Sequence, residues 1–289
     1  MSEPRSASVC RNSADTPSVS SLERKPVIVP MPTSAPRRTG SFVLTEDVTV
    51  RVTGQARTAA AMLREHIFRE TGYLLAESPD GMLMVSHDPA MRGLGPEGYA
   101  LLVSNDAVML RAGTQAGLRH GVQSFRQLMT RDATVRAADL RDSPAFAWRG
   151  VSSALLPPAE MRKAIDRMAA YKLNVLHVFP DGDPDALREL VEYGRDHGII
   201  VVPELSPATI ELLELFPSRW VHIGTAKLTT KFAGLLERHG KLPVRWHDGS
   251  TDVLGPHGKL AEGDDGLRAV ATAGWVGGLR TTSAVAPAW

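Results

Sequence analysis

The stretch Gly198-Ile199-Ile200-Val201-Val202-Pro203-Glu204 decides the fold. Four consecutive apolar residues stand between a glycine and a proline, with no polar alternation. A strand wetted on one face alternates, whereas a continuous run suits a strand buried on both faces, as in a parallel sheet covered by helices. Upstream, Asn174-Val175-Leu176-His177-Val178 reads as a strand between helices over 159–171 and 185–197, the second ended by Gly198. Trp148 to Ser152 opens the series. Downstream come a short helix over 207–215, a strand at Trp220-Val221-His222-Ile223, a helix over 230–239 and a strand at Pro243-Val244-Arg245-Trp246. Five strands alternating with helices predict a parallel α/β unit.

Length limits that unit. A complete eight-fold barrel takes ~250 residues, with ~200 as a lower bound. From Trp148 on, only about half of the 289 residues remain. About five strand–helix units fit, with room for a sixth around Ala269 to Val276. Such a barrel is incomplete, and its edges need covering by the C-terminal tail, the first domain or a second copy.

The first half reads differently. Phe42-Val43-Leu44, Val48 to Val52 and Met82 to Val85 are short strands. Tyr99 to Val103 and Val108 to Arg111 form a hairpin about Asn105-Asp106, two residues that tolerate turn conformations. Helices are predicted over 56–71, with Ala60, Leu63, Ile67 and Phe68 on one face, and over 114–129, with Leu118, Val122, Phe125 and Leu128 on one face. The predicted fold class is therefore α/β: a disordered tail over 1–25, an N-terminal α+β domain over 26–142 with a mostly antiparallel sheet and two helices, and a parallel α/β unit over 143–289, irregular from about 249, which the family resemblance given below implies to be a shortened TIM-type (β/α) barrel.

Composition narrows the function. Lys+Arg is 33 and Asp+Glu is 32, a balance without the basic excess of a nucleic-acid protein. No apolar run approaches the ~20 residues needed to cross a bilayer. The first 25 residues lack an apolar export core, so a cytoplasmic location is expected. One cysteine, Cys10, excludes an internal disulfide and a cysteine-based zinc cluster. The nine histidines show no HExxH-type spacing, and Asp181-Gly182-Asp183-Pro184-Asp185-Ala186 lacks the glycine a calcium loop needs at its sixth position. No metal or cofactor is expected, and His177 and His222 read as packed, hydrogen-bonded core histidines.

Several segments resemble the β-N-acetylhexosaminidases of glycoside hydrolase family 20. Gly98 to Val103, Ala112-Gly113-Thr114-Gln115-Ala116-Gly117-Leu118-Arg119-His120-Gly121 and Phe125-Arg126-Gln127-Leu128 resemble the end of the small domain that precedes that family's barrel. Asp142 to Gly150 resembles the first barrel strand, Ile165 to His177 the first helix and second strand, Gly198 to Glu204 the third strand, and Val221-His222-Ile223-Gly224 the fourth. The resemblance covers most of 26–248, in order. It implies a substrate-assisted glycosidase, in which the 2-acetamido group attacks the anomeric carbon, one aspartate holds that group and the adjacent glutamate protonates the leaving oxygen.

The family's fourth strand continues Gly-Gly-Asp-Glu. Here it continues Gly224-Thr225-Ala226-Lys227. Alanine cannot accept the acetamide N–H, and a lysine with an ordinary pKa of ~10.4 is a poor proton donor. The first-strand aspartate is Ala154, and the third-strand Asp and His are gone. By position, Arg149 survives as the family's contact to sugar hydroxyls, Asp183 as the second Asp of the second-strand pair, and Glu204 and Trp246 as further matches. Arg149 reads equally as an ion-pair partner of Asp183 or Glu204, and Trp246 as core or sugar platform. Asp183, Glu204 and Asp248 are candidates for a relocated acid. Three functions stay open: a catalytically impaired hexosaminidase-like protein binding N-acetylhexosaminide glycans, an active glycosidase with a relocated acid, and a non-enzymatic interaction protein or eroded gene product. A homo-oligomer is one way to cover the barrel edges.

Overall fold

The computed structural model describes residues 28–180, 183–224, 228–247, 250–253, 268–270, 275–276 and 279–285, with side chains up to residue 244. The expected tail over 1–25 lies outside the described residues. In the first half, β1 (Ser41–Val43), β2 (Val50–Thr53), α1 (Arg57–Thr71), β3 (Leu83–His87), β4 (Tyr99–Val103), β5 (Val108–Ala112), α2 (Gln115–Leu128), β6 (Thr134–Arg136) and β7 (Ala138–Asp142) follow in order. Five of these strands form one sheet, in the order β2-β3-β5-β4-β7. The sheet is evenly mixed, which corrects the mostly antiparallel expectation. β2–β3 and β3–β5 are parallel, the first because α1 carries the chain across between them and the second because β4 intervenes in the chain between β3 and β5. β5–β4 and β4–β7 are antiparallel. The hairpin turn closes with Ser104 N–H bonded to the Ala107 carbonyl.

α2 lies close on this sheet because Gly117 and Gly121 present no side chain to it. A Cβ at Gly117 would stand 2.2 Å from the Gly98 carbonyl oxygen, and one at Gly121 would stand 2.1 Å from Leu110 Cδ1. Thr114 caps the helix by accepting from Gly117 N–H. α1 buries Ala60, Leu63 and Ile67 as expected, but leaves Phe68 at 46% exposure.

The second half runs β8 (Trp148–Ala154), α3 (Pro158–Ala170), β9 (Val175–Phe179), α4 (Pro184–Asp196), β10 (Ile200–Pro203), β11 (Trp220–His222), α5 (Thr230–Arg238), β12 (Leu242–His247), β13 (Ser250–Val253), β14 (Arg268–Val270), β15 (Trp275–Val276) and β16 (Leu279–Val285). A 3-10 turn at Ile210–Leu215 stands where the short helix was expected. β8–β9, β9–β10 and β11–β12 pair in parallel. The sheet order is β10-β9-β8-β16-β14-β13-β12-β11, with β15 on β16. A parallel bridge between Glu204 and His222 joins the two ends of that order. The ring is completed by Leu205 N–H bonded to the His222 carbonyl at 2.8 Å.

Among the described residues beyond 249, β13, β14 and β16 are antiparallel strands that stand between β12 and β8 in the sheet. Of the sixth strand–helix unit expected around Ala269 to Val276, the described residues belong to β14 and β15. Short polar segments with little apolar periodicity gave no strand signal, yet antiparallel strands need only local turns to pair. The chain pairs its own barrel edges, so the edge argument for a second copy lapses.

The two halves meet through buried ion pairs. Lys172 adopts a left-handed backbone (φ 59°) after α3. Its Nζ donates to Asp142 Oδ2 at 2.9 Å and to Tyr99 Oη at 2.8 Å. Arg149, at the start of β8, is bound to Glu97 in the loop before β4.

Candidate functional site

Parallel strands with shared register point matching residues to the same face. Gly150, Ser152 and Ala154 of β8 stand opposite Val175, His177 and Phe179 of β9, and Val202 stands opposite His177. Trp148, Val175, Val202 and Val244 pack together with Trp220 against them. Val151, Leu176, Val178 and Val201 belong to a different cluster, with Met161 and Ile165 of α3 and Leu187, Leu190 and Val191 of α4. The first set faces the barrel interior and the second lies beneath the helices. Further along the strands, toward the C-terminal ends where barrel sites form, the interior turns polar.

Ser152, His177, Glu204 and His222 meet there. His177 Nε2 lies 3.4 Å and His222 Nδ1 lies 3.2 Å from the same oxygen, Glu204 Oε2. Ser152 Oγ is 2.8 Å from His177 Nδ1. Gly224 N–H donates to His222 Nδ1 at 2.9 Å. The imidazoles are tilted together, with centroids 4.3 Å apart, and Phe179 meets His177 edge-on. Both histidines are buried and hydrogen-bonded, while the Glu204 side chain keeps 27% exposure. Gly224 is required here. Its φ is +58°, and a Cβ would stand 2.5 Å from Glu204 Oε1.

Burial pulls the Glu204 carboxyl up, but the neighbouring His177 and His222 imidazoles outweigh it and hold the group at about 2. Burial pushes His222 down to about 4, with His177 adding to the shift and Glu204 opposing it. Near neutral pH, Glu204 is therefore an acceptor-only carboxylate and His222 is uncharged.

The other expected site residues fall elsewhere. Arg149 is buried, and its guanidinium makes two parallel bonds to Glu97 (2.9 and 2.7 Å), one to the Phe146 carbonyl (2.6 Å) and one to the Lys172 carbonyl (2.7 Å). Neither Asp183 nor Glu204 is its partner. Asp183 accepts from Asp185 N–H and caps α4, so its carboxylate does a helix-terminal job. It also lines a surface groove with Leu155, Met161 and Tyr193. Trp246 is in β12, beyond the described side chains; Asp181, Ala226, Lys227 and Asp248 lie outside the described residues. Of the expected residues whose side chains are described, only Glu204 belongs to the barrel cluster. Its companions were legible only as strand histidines. The available signal was that each sits near the C-terminal end of a consecutive parallel strand.

No described helix is long and apolar enough to cross a membrane. Residues 25–143 match the family model described as glycosyl hydrolase family 20, domain 2. Among curated proteins, the chain is 31% identical over 142 residues to beta-hexosaminidase subunit beta of Felis catus, covering 37% of this chain and 27% of that one. It is 24% identical over 231 residues to the beta-hexosaminidase of Porphyromonas gingivalis, covering 62% and 30%. The chain thus spans between a quarter and a third of these relatives. Among solved structures, it resembles the GH20 exo beta-N-acetylglucosaminidase of Vibrio harveyi in complex with N-acetylglucosamine, with TM-score 0.64 and 18% identity over 78% of this chain and 55% of that one. It also resembles a mutant Streptomyces plicatus beta-hexosaminidase in complex with product, with TM-score 0.67 and 21% identity over 76% and 65%. At these identities the structural likeness concerns the fold.

Proposed function

Because the chain is a divergent member of glycoside hydrolase family 20, we propose that it binds N-acetylhexosamine-containing glycans at its barrel mouth and hydrolyses them slowly or not at all. The observation that carries this reading is the continuation of β11 as Gly224-Thr225-Ala226-Lys227, where the family resemblance expects Gly-Gly-Asp-Glu. Alanine offers no acceptor for an acetamide N–H, and an ammonium opposes the positive charge that develops at the anomeric carbon. Glu204 does not replace the lost acid, because a carboxyl held at about 2 carries no proton at neutral pH. Asp183 is engaged as a helix cap. What supports binding is the mixture at the strand ends: an ionised carboxylate to accept sugar hydroxyls, polar imidazole rings, and the partly exposed face of Phe179.

The test combines turnover and binding on purified protein. A chromogenic N-acetyl-β-glucosaminide is expected to be cleaved at least ~10²-fold more slowly than by an intact family member, the scale of a missing general acid. Calorimetric titration with N-acetylglucosamine oligosaccharides is expected to show saturable binding that Glu204→Gln weakens. Rapid turnover abolished by Asp248→Asn would instead establish a relocated acid. A folded sample that binds no such glycan would leave the chain an interaction protein.

A further inference from the structure

The His177–Glu204–His222 cluster has a geometry that glycan binding does not require. Three side chains from three consecutive strands place one potential ligand atom each within 4.8 Å of the others. Two of the separations share Glu204 Oε2, at 3.4 Å to His177 Nε2 and 3.2 Å to His222 Nδ1. Ligands bound to a tetrahedral zinc ion at 2.0–2.1 Å stand about 3.4 Å apart, because a tetrahedron's edge is ~1.63 times its centre-to-corner distance. Both separations therefore match a tetrahedral edge before any side chain moves.

The donor set and its surroundings agree. Two imidazoles and one carboxylate suit zinc and its first-row neighbours, whereas magnesium and calcium prefer oxygen shells. Ser152 Oγ holds His177 Nδ1 at 2.8 Å and turns Nε2 toward Glu204, the outer-shell arrangement usual for a ligating histidine. The two histidines are enclosed, while Glu204 remains open on one side, which leaves a direction for a solvent ligand. One contact competes: Gly224 N–H donates to His222 Nδ1, so ion capture must turn that amide away. Gly224 carries no side chain to resist the turn.

We propose that His177, Glu204 and His222 form a three-ligand site for a zinc-class divalent ion, with water as the fourth ligand on the side of the barrel mouth. The site does not depend on glycan binding.

The experiment uses the full chain, without a histidine tag, stripped with chelator and then titrated with Zn²⁺ by calorimetry and with Co²⁺ by visible absorption. The expected result is one ion per chain and an intense tetrahedral-type Co²⁺ spectrum. Glu204→Gln and His222→Gln are expected to weaken binding at least ~100-fold, and Ser152→Ala, which keeps all three ligands, ~10–100-fold. Added Zn²⁺ should raise the melting temperature of the parent and not of Glu204→Gln. Circular dichroism confirms that each variant folds. No ion bound by the folded parent overturns the proposal, as does binding that survives all three substitutions. If the histidine variant fails to fold, a weak octahedral-type Co²⁺ spectrum in the parent is sufficient to overturn it.

Discussion

Arg149 and Glu97 face each other through two parallel hydrogen bonds, of 2.7 and 2.9 Å, across the junction between the first sheet and the barrel. The Arg149 side chain is 9% exposed and that of Glu97 is 20%. Removing one member of a buried pair strands the other charge, which costs ~3–5 kcal/mol; the residual exposure of Glu97 favours the lower figure. Glu97→Ala and Arg149→Ala are each expected to destabilise by about 3 kcal/mol in urea titrations, and the double variant by much less than their sum. A coupling below about 0.5 kcal/mol would show that the pair does not hold the junction.

Lys172 makes the second tie. Its ammonium is buried against Asp142 and the Tyr99 hydroxyl, which is itself 2.6 Å from Ser124 Oγ. Burial pulls the Lys172 pKa down, and the Asp142 carboxylate resists that shift. Lys172→Met keeps the stem but leaves Asp142 without its cation, at an expected loss of ~3 kcal/mol. Lys172→Met/Asp142→Asn should recover part of that loss. If the double variant is no more stable than the single one, the pair carries no specific coupling.

The two glycines of α2 should respond unequally to alanine. Alanine favours a helix over glycine by ~1 kcal/mol. At Gly117 the new methyl would meet the rigid Gly98 carbonyl oxygen at 2.2 Å, so helix and sheet must separate. At Gly121 it would meet the end of the Leu110 side chain, which can rotate. Gly117→Ala is expected to cost ~2 kcal/mol or more, and Gly121→Ala clearly less. Equal melting temperatures for the two variants would contradict this account of the helix–sheet contact.

The parts of the fold legible in the sequence are those with a strong local period. The apolar run at Ile199–Val202 and the amphipathic stripes of α3 and α4 each form near their expected places, although Ile200, read as buried with its neighbours, is 45% exposed at the start of β10. β7 was not legible, because Ala138-Asp139-Leu140-Arg141-Asp142 is mostly charged, and its Asp142 earns its place by pairing with Lys172, thirty residues away. β13 to β16 were illegible because they are short and carry little apolar periodicity, and β16 pairs with β8 from the far end of the unit. The site divided in the same way. Glu204 was readable as a strand-end carboxylate, but its two histidines are distant in sequence and meet only when three strands align. Arg149 read as a sugar contact or as an ion-pair partner of Asp183 or Glu204, and nothing local announced that its partner is Glu97.

Acid should unfold this protein early, through histidines rather than carboxylates. Burial lowers His120 to about 4, with Glu97 opposing the shift and Arg149 and Lys172 adding to it, and burial likewise lowers His222 to about 4. Half-buried His66 is lowered to about 4 as well. A folded-state pKa below the ordinary 6.5 means that the unfolded chain takes up these protons first. The stability is therefore complete above pH 6.5 and is lost as the pH falls from 6.5 toward 4, by up to about 1.4 kcal/mol per pH unit for each buried histidine. Glu204, held at about 2, adds a later loss below pH 4.5, because its stabilised carboxylate must then be protonated. Denaturant midpoints measured between pH 7 and 4 should fall steeply, and His120→Gln should flatten the slope by close to one proton. A midpoint independent of pH across this window would mean that the buried rings already accept protons in the folded state.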